Sequence, residues 1–299
     1  MTPEERRRFS RLLSRLADAS VADALGLVQE AGAGRCRRVG ITGPPGAGKS
    51  SLIAKLARHR LRDDGDLAII AVDPSSPVSG GAILGDRIRM EELATDPHIF
   101  IRSLATRSSH DGLADNLPDI LAALDGFGFA EVLLETVGVG QVEYAVSNLV
   151  DTTLLVLPPG AGDQVQAMKS GILEKADIYV INKADQPGAA QLAADLRTVL
   201  KQRTLPQGGW APPIVSTAAG DAASLATLSA AIDDHQLWAR ESGRWTDARG
   251  SWRANHVASL LSRRIAEVLD DLPPQERTQP VGALYRTVLG RVSALGGPA

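Results

Sequence analysis

Two apolar registers alternate along the middle of this chain. Short, nearly unbroken apolar runs at 38–42, 67–72, 98–102, 132–135, 152–157, 178–182 and 214–216 are separated by longer stretches with three-and-four spacing. Runs without strict period two belong to strands buried on both faces. Their alternation with helical segments predicts an α/β fold, a mostly parallel sheet covered by helices on both faces. The segment 50–63 is long enough for a helical crossover, so the 67–72 strand should run parallel to the 38–42 strand. The ends of the chain are helical. Residues 1–20 set Phe9, Leu12, Leu13 and Leu16 on one helical face, with Arg6, Arg7, Arg8, Arg11 and Arg15 beside it. Glu4, Glu5 and Asp18 favour a mature helix over a transit peptide there. A second helical stretch, 21–31, leads through Gly32-Ala33-Gly34 into the first strand.

Beyond residue 233 the pattern is helical only. Val257, Leu260, Leu261, Ile265, Val268 and Leu269 follow helical spacing, Pro273-Pro274 ends that helix, and 281–295 resumes it. On pattern alone this region either caps the core or forms a dimer arm. Trp238, Trp245 and Trp252 recur every seventh residue, as core positions or as a seam. The expected division is a helical extension at 1–36, an α/β domain at 37–232 and a helical arm at 233–299.

Composition narrows the class. With 299 residues, 44% of them apolar, the chain can build one large or two small soluble domains. A net charge of −3 offers no electrostatic footprint for nucleic acid. No apolar run approaches the ~20 residues of a membrane span. A single cysteine, Cys36, excludes an internal disulfide and fits a reducing, cytoplasmic compartment. His59, His98, His110, His235 and His256 are scattered, so no metal-insertion cluster is visible.

The chemistry begins after the first strand. Gly43-Pro44-Pro45-Gly46-Ala47-Gly48-Lys49-Ser50, followed by Ser51, satisfies G-x-x-x-x-G-K-[ST] between an apolar strand and a helix. Backbone N–H groups and a helix N-terminus converge there on one anion. Lys49 is placed to reach the β- and γ-phosphates, and the Ser50 hydroxyl to bind Mg²⁺. A nucleoside triphosphate is the expected ligand.

Asn182-Lys183-Ala184-Asp185 selects the base. The carboxylate of Asp185 only accepts, so it matches the two adjacent donors on the guanine edge. Lys183 can lie along the base plane, and Asn182 can brace the loop. Four polar residues after a strand are ordinary loop chemistry, but about 130 residues beyond a phosphate loop they favour GTP over ATP. Ser216, Thr217 and Ala218 suggest a loop supporting the guanine from below.

Two further strands end in acids, Asp73 and Glu135, and ligands of parallel sheets collect at such carboxyl ends. With Ser50 and Asp86 they form the expected magnesium set. Each acid alone also suits a helix cap. Glu135-Thr136-Val137-Gly138 has the form of a switch sensing the γ-phosphate through the Gly138 N–H, and Asp86 lies in a second candidate switch. The expected catalytic residues are therefore Lys49, Glu135, Gly138 and Asp86. No glutamine follows Gly138 directly, which predicts slow hydrolysis accelerated by a partner. Gln141 is a possible substitute, and Arg102, Arg107 and Lys169 are candidate transition-state cations.

Assembled, these residues resemble the MeaB/ArgK family of P-loop GTPases. The segments that carry the resemblance are GITGPPGAGKSSLI, AVDPSSPVSGGAILGDRIRM, IRSLATR, LLETVGVGQVE and PPGAGDQVQAMKSGILEKADIYVINKAD. The resemblance implies GTP/GDP and Mg²⁺ as cofactors. It also implies a homodimer built through C-terminal helices, and a chaperone of an adenosylcobalamin-dependent acyl-CoA mutase that gates cofactor loading. It assigns nucleotide-state signalling to a loop containing Asp163, Gln166 and Lys169. The chain departs from many relatives in carrying Ser108-Ser109-His110-Asp111-Gly112 where they have a glycine-rich turn. Competing functions are an ATP-dependent kinase linked to basic amino-acid transport, disfavoured by N-K-A-D, and a scaffold that holds GTP without cleaving it.

Overall fold

The computed structural model describes residues 1–29, 36–61, 65–74, 93, 95–106, 116–136, 147–161, 172–201 and 208–294. In chain order the elements are α1 (Pro3–Ala17), α2 (Val21–Gln29), β1 (Arg37–Thr42), α3 (Lys49–Arg60), β2 (Leu67–Pro74), β3 (Ile99–Thr106), α4 (Leu117–Phe127), β4 (Glu131–Thr136) and β5 (Thr152–Leu157). They continue with α5 (Ile172–Lys175), β6 (Ile178–Asn182), α6 (Ala189–Lys201), β7 (Ile214–Thr217), α7 (Ala222–Glu241), α8 (Arg244–Asp270), α9 (Pro274–Arg277) and α10 (Val281–Ala294).

The seven strands form one sheet in the order β3-β2-β4-β1-β5-β6-β7, and every neighbouring pair is parallel. Alternate residues of β2 and β4 feed different cores. Ala68, Ile70, Val132 and Leu134 join Phe9, Leu13 and Leu16 of α1 and Leu117, Leu121 and Leu124 of α4 on one face. Val39, Ile41, Ile69 and Leu133 join Leu52, Ile53 and Leu56 of α3 and Leu228 and Ile232 of α7 on the other. Both faces are apolar, which is why the strands appeared as unbroken runs. Strand β3 continues to Thr106, four residues past its apolar run, because Ser103 through Thr106 pair in register with Ala71 through Pro74 of β2.

Helix α1 begins with a capping box, the Thr2 hydroxyl accepting from Glu5 N while Glu5 accepts from Thr2 N. Its buried face is Phe9, Leu13 and Leu16, and Phe9 meets the rings of Phe100, Phe127 and Phe129. The first helix is thus part of the core. At the other end, α7 runs without a break across residues 232 and 233, and the chain turns at Gly243 in the left-handed region (φ 76°). The turn lies ten residues beyond the composition change at 233. The three regularly spaced tryptophans are half-buried. Trp252 stacks under the Arg38 guanidinium at 4.0 Å, Trp245 lies under Arg240 at 4.1 Å, and Trp238 meets Trp210 and His235.

The N-terminal edge of the sheet carries buried ion pairs. Arg60 forks onto both oxygens of Glu131 at 2.7 and 2.8 Å and reaches Asp233 at 2.9 Å. Arg38 donates to Asp125 at 2.6 Å. Asp119 on α4 is clamped from α8 by His256 at 2.7 Å and Arg263 at 2.5 Å. Cys36, 1% exposed, sits just ahead of β1 as its position suggested. Among the described residues no helix is long and apolar enough to cross a membrane, and no group of three or more His, Cys, Asp or Glu could hold a metal.

Candidate functional site

Every described motif expected to read phosphate or base lies at the carboxyl edge of the sheet, where parallel α/β folds bind ligands. Strand β1 runs into the glycine loop, β4 ends at Glu135-Thr136, β2 at Asp73-Pro74 and β6 at Asn182. The loop needs its glycines for two separate reasons. Gly43, at φ 140°, passes so close to β5 that a Cβ there would lie 2.0 Å from the Val156 carbonyl oxygen. Gly48, at φ 85°, caps α3, and a Cβ on it would lie 2.5 Å from Asn182 Nδ2. Neither contact can relax without moving backbone or the base-reading loop.

Lys49 is 6% exposed and folds back over the loop, donating from Nζ to the carbonyls of Gly43 at 2.7 Å and Pro44 at 3.1 Å. Pro45, Gly46 and Ser51 form the exposed rim and Ala47 packs inward. Ser50 Oγ donates to Glu135 Oε1 at 2.7 Å, joining the start of α3 to the end of β4. Both residues are buried, at 5% and 1% exposure. All-oxygen donors of this kind suit Mg²⁺. The hydroxyls of Thr42 and Thr136, buried beside the loop, have no hydrogen-bond partner among the described residues. A polar ligand at this edge fits that chemistry.

The Asn182–Asp185 loop is fastened to the glycine loop. Asn182 Nδ2 donates to Ala47 O at 2.8 Å, and Lys183 Nζ to Gly46 O at 2.9 Å. Lys183 is the one non-glycine residue with positive φ (58°) among those described, so the loop turns sharply there. Thr217, 1% exposed, donates from Oγ1 to Asn182 Oδ1 at 3.0 Å, and its carbonyl accepts from Ala184 N at 2.9 Å. Asp185 and Ser216 are exposed, and Ala218 is half-buried beside them.

The structure therefore brings together Lys49, Ser50, Glu135, Asn182, Lys183 and Thr217. The backbone of Asp73 ends β2 at the same edge. Asp86, Gly138, Gln141, Arg107, Asp163, Gln166 and Lys169 lie outside the described residues. Arg102 is on β3, where its guanidinium donates to Ser14 Oγ of α1 at 2.9 Å, a structural contact. The bracing of Asn182 by Thr217 was not visible in sequence, because it joins residues 35 apart in the chain. The short polar tail of β7 was the only signal.

Residues 14–271 match the family model described as methylmalonyl Co-A mutase-associated GTPase MeaB. A Pyrococcus abyssi protein named for GTPase function is 45% identical over 234 residues, spanning 76% of this chain and 71% of its own length. The Mus musculus methylmalonic aciduria type A homolog, mitochondrial, is 33% identical over 257 residues, covering 83% of this chain and 62% of that protein. The crystal structure of an LAO/AO transport system kinase superposes with a TM-score of 0.63 at 22% identity, covering 96% of this chain and 97% of that one. That last likeness is one of fold.

Proposed function

The chain belongs to the MeaB family of methylmalonyl-CoA mutase-associated GTPases, and from that premise we propose that it is a nucleotide-operated chaperone of an adenosylcobalamin-dependent acyl-CoA mutase. In this reading it binds GTP with Mg²⁺, hydrolyses it slowly alone and faster with the mutase, and uses the cycle to gate cofactor loading and protect its partner. The observation that carries the reading is the fastening of the N-K-A-D loop onto the glycine loop through Asn182 and Lys183. One rigid unit thereby reads phosphate and base together.

The placement of the described residues supports their parts in this reading, and the resemblance supplies those of Asp86, Gly138, Asp163, Gln166 and Lys169. Lys49, now satisfied by two loop carbonyls, exchanges them for phosphate oxygens, a stronger charge-assisted contact. Ser50 and Glu135, with Asp73 and Asp86, would hold the magnesium ion, whose chemistry is to neutralise charge developing on the phosphates. Binding would break the Ser50–Glu135 hydrogen bond, and so links the end of β4, where the Glu135–Gly138 switch begins, to the nucleotide. Gly138 would sense the γ-phosphate, and Asp163, Gln166 and Lys169 would pass the state to the mutase. Asp185 would select guanine, with Ser216, Thr217 and Ala218 supporting it.

The arm supports a homodimer. Val257, Leu261, Ile265 and Leu269 form an exposed stripe on α8, and Val281, Tyr285 and Leu289 another on α10, with exposures of 37–83%. Soluble surfaces seldom leave seven large apolar side chains open in two rows without a partner.

The test is GTP turnover by the purified protein, alone and with each candidate cobalamin-dependent mutase. Acceleration by one mutase is expected. Equal turnover of ATP and no acceleration by any mutase would refute the proposal.

A further inference from the structure

A cavity of about 160 Å³ opens at the amino edge of the sheet, at the opposite end of β5 and β6 from the nucleotide site. Its floor is Asp151, Thr153 and Asp177, at the starts of those strands, and its walls come from α7 (Gln236, Ala239) and the first turns of α8 (Arg244, Trp245, Ala248). None of these residues takes part in the chemistry above.

Three observations define what would fit. Gln236 is 4% exposed, and its Nε2 has no hydrogen-bond partner among the described residues. A buried amide N–H₂ left unmade costs about 1–3 kcal/mol, so a ligand oxygen would be stabilised there. Helix α8 opens at Gly243 with no side-chain cap, presenting the positive end of a 27-residue helix beside Arg244 and Trp245. Arg244 is 56% exposed and stands 3.6 Å from Asp177 Oδ1, beyond hydrogen-bond length, so its fork can turn to a second acceptor.

The acids limit the charge of the occupant. Asp177 already accepts from Thr153 N at 2.9 Å and lies 3.3 Å from His235 Nε2. Asp151 accepts from Arg38 N at 2.9 Å and faces Arg249 at 3.7 Å. Both are compensated, yet their negative field disfavours a dianion such as phosphate. A planar, singly charged acceptor matches a guanidinium and an amide better. Ala239, Ala248 and the Trp245 indole supply apolar wall for a short tail. A cavity of similar size holds benzene, which sets the ligand at about six non-hydrogen atoms.

We propose that this cavity binds a short-chain monocarboxylate, its carboxylate held by Arg244, Gln236 and the α8 N-terminus and its tail against Trp245. The site lies at the edge of the sheet opposite the nucleotide chemistry.

Isothermal titration of the full chain with sodium butyrate tests it, with inorganic phosphate and n-butylamine as the contrasting probes. Saturable binding of one butyrate per chain is expected, weakened roughly tenfold or more in Arg244→Gln and in Gln236→Leu. GTP affinity should stay unchanged in both variants, which shows that they are folded. Absence of saturable butyrate binding would overturn the proposal. So would unchanged binding in both variants, or phosphate binding more tightly than butyrate.

Discussion

Asn182 is the residue whose removal best separates the two halves of the proposed nucleotide site. In Asn182→Ala the 2.8 Å bond to Ala47 O and the 3.0 Å bond from Thr217 Oγ1 both disappear. Each is worth about 1 kcal/mol net, and only the first holds the phosphate loop, which loses roughly 1 kcal/mol of bracing. The Thr217 hydroxyl, in a residue 1% exposed, is also left unpaired, which adds about 1–3 kcal/mol to the loss of overall stability. A cradle that must be reordered on binding weakens its ligand by the same free energy, on the order of fivefold for 1 kcal/mol. Calorimetry with GTP and with tripolyphosphate, which has no base, distinguishes bracing from base contact. Asn182→Ala should weaken both ligands to a similar degree. Asp185→Asn should weaken GTP and leave tripolyphosphate unchanged. If Asn182→Ala weakened GTP but kept wild-type tripolyphosphate affinity, the bracing argument would be wrong.

Other perturbations probe the framework. Arg60→Ala leaves Glu131, 2% exposed, with only the longer 3.8 Å contact to Arg37 and should cost about 3 kcal/mol in urea unfolding, whereas Arg60→Met with Glu131→Leu should recover most of it. Little loss in the single variant would show that water reaches Glu131. The Cys36 thiol, pushed up by burial, should resist a disulfide reagent in the native protein at pH 8 and react fully once urea unfolds it; rapid native labelling would contradict its packing. Glu5 is held below its ordinary value of 4.5 by the Thr2 backbone N–H first and its hydroxyl second. A lowered folded value means its contribution is present above pH 4.5 and fades as pH falls through the folded value, so Glu5→Gln should flatten that part of the acid unfolding curve. An unchanged acid limb would remove the capping box from the stability of α1.

What the sequence revealed was local. Strands β5 and β6 begin and end where their apolar runs do, and the glycine loop and the N-K-A-D loop stood out in sequence because each motif is contiguous and follows a strand. Strand β3 was longer than its run, since backbone pairing to β2 continues through the mixed Ser103–Thr106 stretch. The Thr217–Asn182 and Ser50–Glu135 bonds were hidden for a different reason. Polar pairs 35 and 85 residues apart leave no periodicity, and only the sheet order brings them together. The same holds for the Gln236 cavity, which exists because α7 and α8 both meet the starts of β5 and β6.

The strand order also sets a timetable for synthesis. Strand β1, which carries the glycine loop, takes its two neighbours from β4 and β5, and its first partner residue, Glu131, leaves the ribosome 94 residues after Arg37 (131 minus 37). At bacterial-to-eukaryotic elongation rates that is a delay of roughly 5–20 s. Throughout it the emerging chain holds an apolar strand with both edges open, and β2 and β3 can pair with each other but not with it. The nascent chain therefore depends on its surroundings for as long as its centre is missing, and the last strand to arrive, β7, is the one that braces the base-reading loop.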